Sequence, residues 1–330
     1  MAMGYLYEIA TTIPAFAKPA YYDAHPPKRS RKPTIIPFGP DPQQHCTLWE
    51  PDTVLHETPV LYFHGGAYVF GSPESMIDAA NAYNACGYRF CSVGFREAPW
   101  HKFPSMVDDG FLGAKAALAY MEQTGIPCDH IAIGGTSAGG HLSTLICYAT
   151  WLQEAFRFPA ERIAACISIA GVADAADMLV KPFPTHSAWR ALVDLPSDGK
   201  NRKARRSAVA CYSPIDLVAY EARNGGVPRV PLFAAHGRED TLSPYASQAR
   251  LVELLRAENG HDSVKFVTLE GRQWQHMNTT VTMHKTAVQE NPVLAKLFEW
   301  LGTLEATEHG ALLDGQATRV DNPGEPKPDV

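Results

Sequence analysis

The chain has 330 residues, of which 45% are hydrophobic, and this is enough to bury one large core in a single α/β domain. The formal net charge of −6 and the absence of a long basic stripe argue against nucleic acid as a partner. No apolar run reaches the length of a membrane span, and the first residues lack the basic region of a signal peptide. The seven cysteines include no C-x-x-C pair. We therefore expect a cytoplasmic protein with reduced, buried thiols.

Residues 1–35 are rich in aromatic residues and proline and show no helical or strand period. We predict that they form an N-terminal arm or a partial lid over the main domain, which spans residues 36–304. Two short basic clusters, at 28–32 and 202–206, are interpreted as solvated loops, with attraction of an acidic substrate as the alternative.

From about residue 44, short apolar runs alternate with segments of helical spacing. The predicted strands are Cys46–Trp49 at the sheet edge, Val60–Phe63, Tyr88–Val93, Ile131–Ile133, Ile163–Ile169, Val230–Ala234 and Val264–Leu269. The predicted helices are Met76–Cys86, Val107–Glu122, Ala138–Trp151, Pro244–Glu258 and Val293–Leu301. This alternation predicts an α/β fold with a mostly parallel sheet and helices on both faces. Residues 172–228 interrupt the alternation and are predicted to form a small cap or insertion at the rim of the site, and residues 305–330 a flexible tail.

Ser137 stands in the sequence G-T-S-A-G at 135–139, directly after the predicted strand Ile131–Ile133 and before a predicted helix. In that context the G-x-S-x-G spacing is typical of a nucleophile elbow, where the serine projects from a tight turn. A glycine on either side leaves room for the turn. A serine nucleophile needs a base to take its proton and a carboxylate to orient that base, so the motif predicts two partners further along the chain.

The acid is expected in the loop after the strand that ends near residue 234, where the sequence reads H-G-R-E-D at 236–240. Asp240 is the first candidate and its neighbour Glu239 a rival. Asp216 is a more distant rival, because it follows no convincing strand. The other interpretation of Asp240 is a helix N-cap or turn acid.

The base is expected after the last strand, and His276 lies there, before the terminal helix. His261 and His284 are the rivals. His261 precedes that strand and so stands at the wrong end of the sheet, whereas His284 lies further from the strand end. The sequence therefore predicts a triad of Ser137, Asp240 and His276.

The sequence H-G-G-A-Y at 64–68 follows the second predicted strand. Acyl transfer builds negative charge on the carbonyl oxygen, and the loss of one backbone donor to that oxygen costs about 3 kcal/mol. The predicted donors are the N–H groups of Gly66, Ala67 and Ala138, the last of which begins a helix whose dipole favours an anion. His64 is expected to hydrogen-bond the loop and not to act as the base. The alternative is an ordinary glycine-rich turn between a strand and a helix.

These motifs, in this order, resemble the α/β-hydrolase esterases of the hormone-sensitive-lipase-like group and its relatives, over about residues 40–302. The sequence F-R-E-A-P at 95–99, with Phe103-Pro104 and Asp109 after it, is similar to a block of that group. The resemblance implies an α/β-hydrolase fold with about eight strands and ester hydrolysis that needs no cofactor. It also implies that Arg96 and Asp109 are scaffold residues that form an ion pair.

Three departures from that group leave the subfamily and the substrate open. Ala67 replaces the usual third glycine, and Met277 follows the histidine where the group has glycine. The acid loop ends in L-S-P at 242–244, which is closer to feruloyl-esterase-like and formamidase-like relatives.

The first functional hypothesis is a serine carboxylesterase that hydrolyses small to medium esters through an acyl-enzyme, with no metal and a small-molecule ester as its partner. The alternative is an arylformamidase-type amidohydrolase with the same triad, which the stretch 40–51 favours because it is similar to that group's N-terminal strand. A non-catalytic ligand receptor on the same scaffold is the third hypothesis, and homodimerisation stays open. Four aromatic residues suit a substrate pocket and core packing equally well: Tyr68, Phe70, Trp189 and Trp274.

Overall fold

Eight strands run through the computed structural model, which describes residues 32–181, 185–193, 202–276 and 291–317. They are β1 Thr34–Pro37, β2 His45–Trp49, β3 Val60–Phe63, β4 Phe90–Val93, β5 Ile131–Thr136, β6 Ile163–Ile169, β7 Leu232–Gly237 and β8 Val264–Leu269. The strands form one sheet in the order β1-β2-β4-β3-β5-β6-β7-β8. β1 and β2 pair antiparallel, as do β2 and β4, and every other neighbouring pair is parallel. The prediction of a mostly parallel sheet of about eight strands is thus confirmed.

The edge of the sheet differs from the prediction. The edge strand is β1, and β2 lies one position inside it. Thr34 and Ile35 therefore belong to the sheet and not to the predicted N-terminal arm, whose residues 1–31 lie outside the described residues. The sequence signal for β1 is weak because the strand has four residues, buries only Ile36 and ends in a proline, which an edge strand tolerates.

Helices cover both faces of the sheet because alternate strand side chains point to opposite sides. They are α1 Ile77–Ala85, α2 Ser105–Thr124, α3 Ala138–Tyr148, α4 Thr150–Phe156, α5 Ala175–Met178, α6 Thr185–Leu192, α7 Arg202–Val209, α8 Pro214–Asn224, α9 Tyr245–Asn259 and α10 Pro292–Ala317. In β3, Val60 and Tyr62 pack on the side of α1 and α10. Leu61 and Phe63 pack on the side of α2, α3 and α9. The carboxyl ends of the parallel strands share one edge, so the loops after β3, β5, β7 and β8 meet there.

Among its described residues, the connection between β6 and β7 contains the four α-helices α5 to α8, within the segment predicted as an insertion. The second basic cluster lies on α7, so it is helical where the sequence analysis predicts a loop. Its Arg206 pairs with Asp174 and Asp216, at 2.9 and 2.5 Å. Residues 182–184 and 194–201 of the insertion lie outside the described residues.

Two predicted helices end elsewhere in the structure. The helix after Ser137 breaks at Ala149, and a separate α4 follows it. The last helix, α10, continues through Ala317, where the sequence analysis predicts the start of a flexible tail. Residues 305–317 contain alanine, leucine, glutamate and glutamine, which favour a helix in spite of two glycines. Residues 318–330 of the predicted tail lie outside the described residues.

The cysteines are free thiols, and five of them are buried, whereas Cys86 is half-buried and Cys211 is exposed. Within the described residues, no helix combines the length and the apolar character needed to cross a membrane.

Candidate active site

Ser137 occupies a strained turn between β5 and α3. Its backbone has φ 55° and ψ −115°, a conformation that residues with a side chain rarely adopt. Two hydrogen bonds hold the turn, because the Ser137 N–H donates to Ile169 O at 2.8 Å and the His141 N–H donates to Ser137 O at 3.0 Å. A Cβ on Gly139 would come within 1.9 Å of Phe63 O, and one on Gly135 within 2.2 Å of Gly139, so both motif glycines are required by close packing.

The structure brings the three predicted triad residues together from three different loops. His276 Nε2 lies 2.8 Å from Ser137 Oγ. On the other side of the ring, His276 Nδ1 lies 2.7 Å from Asp240 Oδ2. A carboxylate only accepts, so Nδ1 carries the proton and the Nε2 lone pair faces the serine hydroxyl. This is the arrangement that a general base requires.

The loop after β7 builds a site for the Asp240 carboxylate. Asp240 Oδ1 accepts hydrogen bonds from the backbone N–H groups of Leu242 and Ser243, at 2.9 and 2.8 Å. Burial alone would raise the pKa of Asp240, but the charges and hydrogen bonds of His276 and His236 outweigh it and hold that pKa well below its usual range. Asp240 is therefore an anion at every pH at which the site would work.

The rival residues lie away from this arrangement. Glu239 is half exposed and faces Arg272, 3.7 Å away. Asp216 pairs with Arg206 at 2.5 Å, on α8. His261 is exposed and stands before β8, at the opposite end of that strand from His276. His284 lies outside the described residues.

The loop after β3 lies against the nucleophile turn. Gly66, Ala67 and Tyr68 all have positive φ, at 124°, 53° and 63°. A Cβ on Gly65 would come within 3.1 Å of Thr136 O and 3.5 Å of the Ser137 Cβ. The loop thus runs alongside the nucleophile turn. An oxyanion-binding role for the N–H groups of Gly66, Ala67 and Ala138 stays a prediction.

The Tyr68 hydroxyl ties this loop to α3. It donates to Ala138 O at 2.9 Å and lies 2.6 Å from His141 Nδ1, while His141 Nε2 lies 2.5 Å from Tyr212 O. Burial lowers the pKa of His141 to about 4, in spite of the bond to Tyr212. The sequence analysis missed His141, although its position four residues after Ser137 places it one turn along the same helix face.

The four predicted pocket residues divide into two kinds. Tyr68 and Trp189 are fully buried, and their rings meet edge-on with centroids 6.0 Å apart. Phe70 and Trp274 are half-buried, and Trp274 packs against the core on the α1 and α10 side. The first two thus contribute to the core, and a substrate-lining role for all four stays a prediction.

His64 has the structural position that the sequence analysis expects. Its Nδ1 lies 2.8 Å from Gly65 O, and its ring stacks on Phe95 with centroids 4.2 Å apart. Burial lowers the pKa of His64 to about 4.

The ion pair implied by the resemblance is present. The Arg96 guanidinium donates to both oxygens of the buried Asp109 carboxylate, at 2.8 and 2.9 Å. The Arg96 N–H and Gln44 Nε2 add donors at 2.8 and 2.7 Å. The described residues contain no group of three or more histidine, cysteine, aspartate or glutamate side chains that could hold a metal ion.

Comparisons with known proteins agree with this geometry. A family model described as the α/β hydrolase fold matches residues 60–259, which is more than half of the chain. The chain is 29% identical over 216 residues to an acetyl-hydrolase of Streptomyces hygroscopicus, a match that covers 64% of this chain and 62% of that protein. It spans 48 to 62% of the length of the first curated relatives that it matches.

Two solved structures resemble the whole domain. Esterase B from Lactobacillus rhamnosis has a TM-score of 0.66 at 20% identity, with 96% of this chain and 99% of that chain covered. A hormone-sensitive lipase from a metagenome library has a TM-score of 0.61 at 22% identity, with 92% and 97% covered. The protein belongs to the α/β-hydrolase fold family.

Proposed function

We propose that this protein is a serine carboxylesterase of the hormone-sensitive-lipase-like group, which hydrolyses small to medium carboxylic esters through an acyl-enzyme. The observation that carries the proposal is the continuous hydrogen-bonded path from Asp240 through His276 to Ser137, with links of 2.7 and 2.8 Å. Its chain order and strand-end positions are those of the α/β-hydrolase triad.

In the first half of the reaction, Ser137 Oγ attacks the ester carbonyl carbon while His276 Nε2 takes the hydroxyl proton. The C=O π electrons move onto the carbonyl oxygen, and the N–H groups of Gly66, Ala67 and Ala138 stabilise this oxyanion. When the tetrahedral intermediate collapses, the bond to the alcohol oxygen breaks and His276 gives its proton to the leaving alcohol. Ser137 then carries the acyl group.

In the second half, water attacks the acyl carbon with His276 again as the base. The C–O bond to Ser137 breaks, the proton returns to Ser137 Oγ, and the carboxylic acid leaves. Asp240 remains ionised throughout and stabilises the imidazolium that forms twice in each cycle. No cofactor enters any of these steps.

Relatives support an acyl ester as the substrate class. The matched relatives include the acetyl-hydrolase of Streptomyces hygroscopicus and an esterase of Mycobacterium tuberculosis. An arylformamidase would use the same triad, so N-formylkynurenine belongs in the substrate panel beside esters of graded acyl and alcohol size. Formamide turnover that exceeds turnover of every ester would favour the alternative.

The test is Ser137→Ala with p-nitrophenyl acetate as substrate. We expect kcat to fall by roughly 10⁴-fold or more, with an unchanged circular dichroism spectrum. Ser207→Ala is the matched control, because Ser207 is exposed on α7, and it should retain wild-type turnover. Undiminished turnover in Ser137→Ala would refute the assignment.

Covalent labelling separates an enzyme from a receptor on the same scaffold. A fluorophosphonate should attach to Ser137 Oγ with loss of fluoride, and the label should be absent from Ser137→Ala. A folded wild-type protein that takes up no label would favour the receptor.

A further inference from the structure

His236 is a buried histidine beside the triad that the sequence analysis treats only as part of the H-G-R-E-D motif. It lies on β7, one residue before the strand ends, and its side chain is fully buried. Its Nε2 lies 3.1 Å from Asp240 Oδ2 and 3.0 Å from Ser243 O. The same carboxylate oxygen receives His276 Nδ1 at 2.7 Å. The His236 Nε2–H therefore lies between Ser243 O and Asp240 Oδ2, and ring nitrogens of two histidines approach the same oxygen of the triad acid.

The neighbours of His236 decide which of its ring nitrogens carries the proton. Both neighbours of its Nε2 are acceptors, so that nitrogen carries the proton. Its Nδ1 is buried and has no hydrogen-bond partner among the described residues. The Tyr245 ring meets the His236 ring edge-on, with the two centroids 6.1 Å apart.

We propose that His236 is a positioning residue that shares the Asp240 carboxylate with His276 and so limits how strongly this carboxylate holds a proton on His276. The inference rests on the proposed triad function. A hydrogen bond to a carboxylate stabilises its charge, and an oxygen already bonded to one N–H attracts a second N–H less strongly. His236 thus keeps the base free to return its proton to the leaving alcohol.

Charged groups on the neighbouring segments have partners of their own. Lys181 Nζ donates to Thr241 O at 2.6 Å, in the loop that carries Asp240. Asp177 accepts a hydrogen bond from Ser247 at 2.5 Å, and Glu239 lies 3.7 Å from Arg272. Arg238 donates to Glu270 at 2.8 Å, and its guanidinium lies 4.7 Å from the centre of the Tyr245 ring. None of these contacts involves Asp240 Oδ2.

The test compares His236→Leu and His236→Phe, which lack a donor, with His236→Gln, whose amide N–H has the same reach as Nε2. The pKa of His276 is measured by NMR titration of ¹³C-labelled imidazoles, with His276→Gln to assign the signal. The pH dependence of kcat/KM for p-nitrophenyl acetate is measured in parallel. We expect the donor-free variants to raise the pKa of His276 by about 0.5 to 1 unit, a three- to tenfold gain in proton affinity. The acid limb of the rate profile should move by the same amount, and His236→Gln should stay close to wild type.

An unchanged pKa of His276 in whichever donor-free variant folds, or an equal shift in that variant and in His236→Gln, would overturn the inference and leave His236 a packing residue. Lower thermal stability alone moves neither midpoint. The NMR titration needs no substrate, so failure of the proposed esterase activity would appear separately, as a normal titration without turnover.

Discussion

Replacement of Tyr68 by phenylalanine tests whether the loop after β3 depends on one hydroxyl group. The Tyr68 hydroxyl donates to Ala138 O at 2.9 Å and lies 2.6 Å from His141 Nδ1. Its ring packs against Phe103 and Trp189, with centroids 5.3 and 6.0 Å away. Tyr68→Phe keeps these ring contacts and removes only the oxygen, so the effect belongs to the hydrogen bonds.

The expected loss of stability follows from the polar groups that face the Tyr68 hydroxyl. The hydroxyl has one proton, and both Ala138 O and His141 Nδ1 face it as acceptors, so its removal leaves one buried acceptor without a donor. An unsatisfied buried polar group costs about 1 to 3 kcal/mol. Relaxation recovers part of this, so we expect the free energy of unfolding to fall by about 2 kcal/mol. The hydroxyl joins the loop of Ala67 to Ala138, the residue proposed as the third oxyanion donor, so a looser loop should weaken transition-state binding. A tenfold loss of kcat, about 1.4 kcal/mol, with little change in KM is the expected result.

The assay is steady-state hydrolysis of p-nitrophenyl acetate together with urea unfolding of the same preparations. Tyr148→Phe is the matched control, because the Tyr148 hydroxyl is also buried and donates to Val230 O at 2.8 Å, at the far end of α3. It should lower stability to a similar extent while kcat stays at the wild-type value. Equal losses of kcat in both variants, or no loss in Tyr68→Phe, would refute the reasoning.

Three further predictions follow from the buried carboxylates. Asp240→Asn should lower kcat by roughly 10⁴-fold, whereas Glu239→Gln, at an exposed position, should retain activity. Similar kcat values for the two variants in steady-state assays would contradict the assignment of Asp240 as the acid. Burial raises the pKa of Glu97 to about 7 in the folded protein, so the stability contribution of its neutral form is fully present below the ordinary value of 4.5 and is lost as the pH rises through 7. Glu97→Gln should therefore be more stable than wild type by about 2 kcal/mol at pH 8 and show no such gain at pH 4 in urea unfolding. Arg96→Met should cost about 3 to 5 kcal/mol, because it leaves the Asp109 charge buried without its ion-pair partner, and a cost below 1 kcal/mol in the same measurement would contradict this.

The sequence predicts the parallel part of the sheet well because its inner strands, such as β3, β4, β5 and β7, are buried on both faces and appear as short apolar runs. The same pattern places Ser137, Asp240 and His276 at strand ends, where the parallel topology brings them together. The strand β1 has no such signal, because only Ile36 is buried. The continuation of α10 past Leu304 was hidden by glycine and charged residues, which suit a tail as well as a solvated helix.

Neither His141 nor His236 could have been assigned a role from the sequence. Each is a single histidine within an apolar segment. The role of His141 depends on Tyr68, 73 residues earlier in the chain, and that of His236 depends on Asp240, 4 residues later. Which hydroxyl or carboxylate faces a buried ring is decided by how loops pack at the sheet edge, and hydrophobic periodicity carries no information on that. The same limit applies to Trp189, whose burial depends on the insertion between β6 and β7.

The backbone strain of this domain is concentrated where the chemistry is proposed. Of the five described non-glycine residues with positive φ, Ala67, Tyr68 and Ser137 lie in two adjoining loops at the N-terminus of α3. Such conformations cost about 1 kcal/mol or more each, so they persist only where surrounding contacts enforce them. Here the enforcing contacts are the bond from Ser137 N–H to Ile169 O and the bond from the Tyr68 hydroxyl to Ala138 O. The strained residues thus adjoin the proposed nucleophile, and we expect loss of either hydrogen bond to disturb the loop and the serine together.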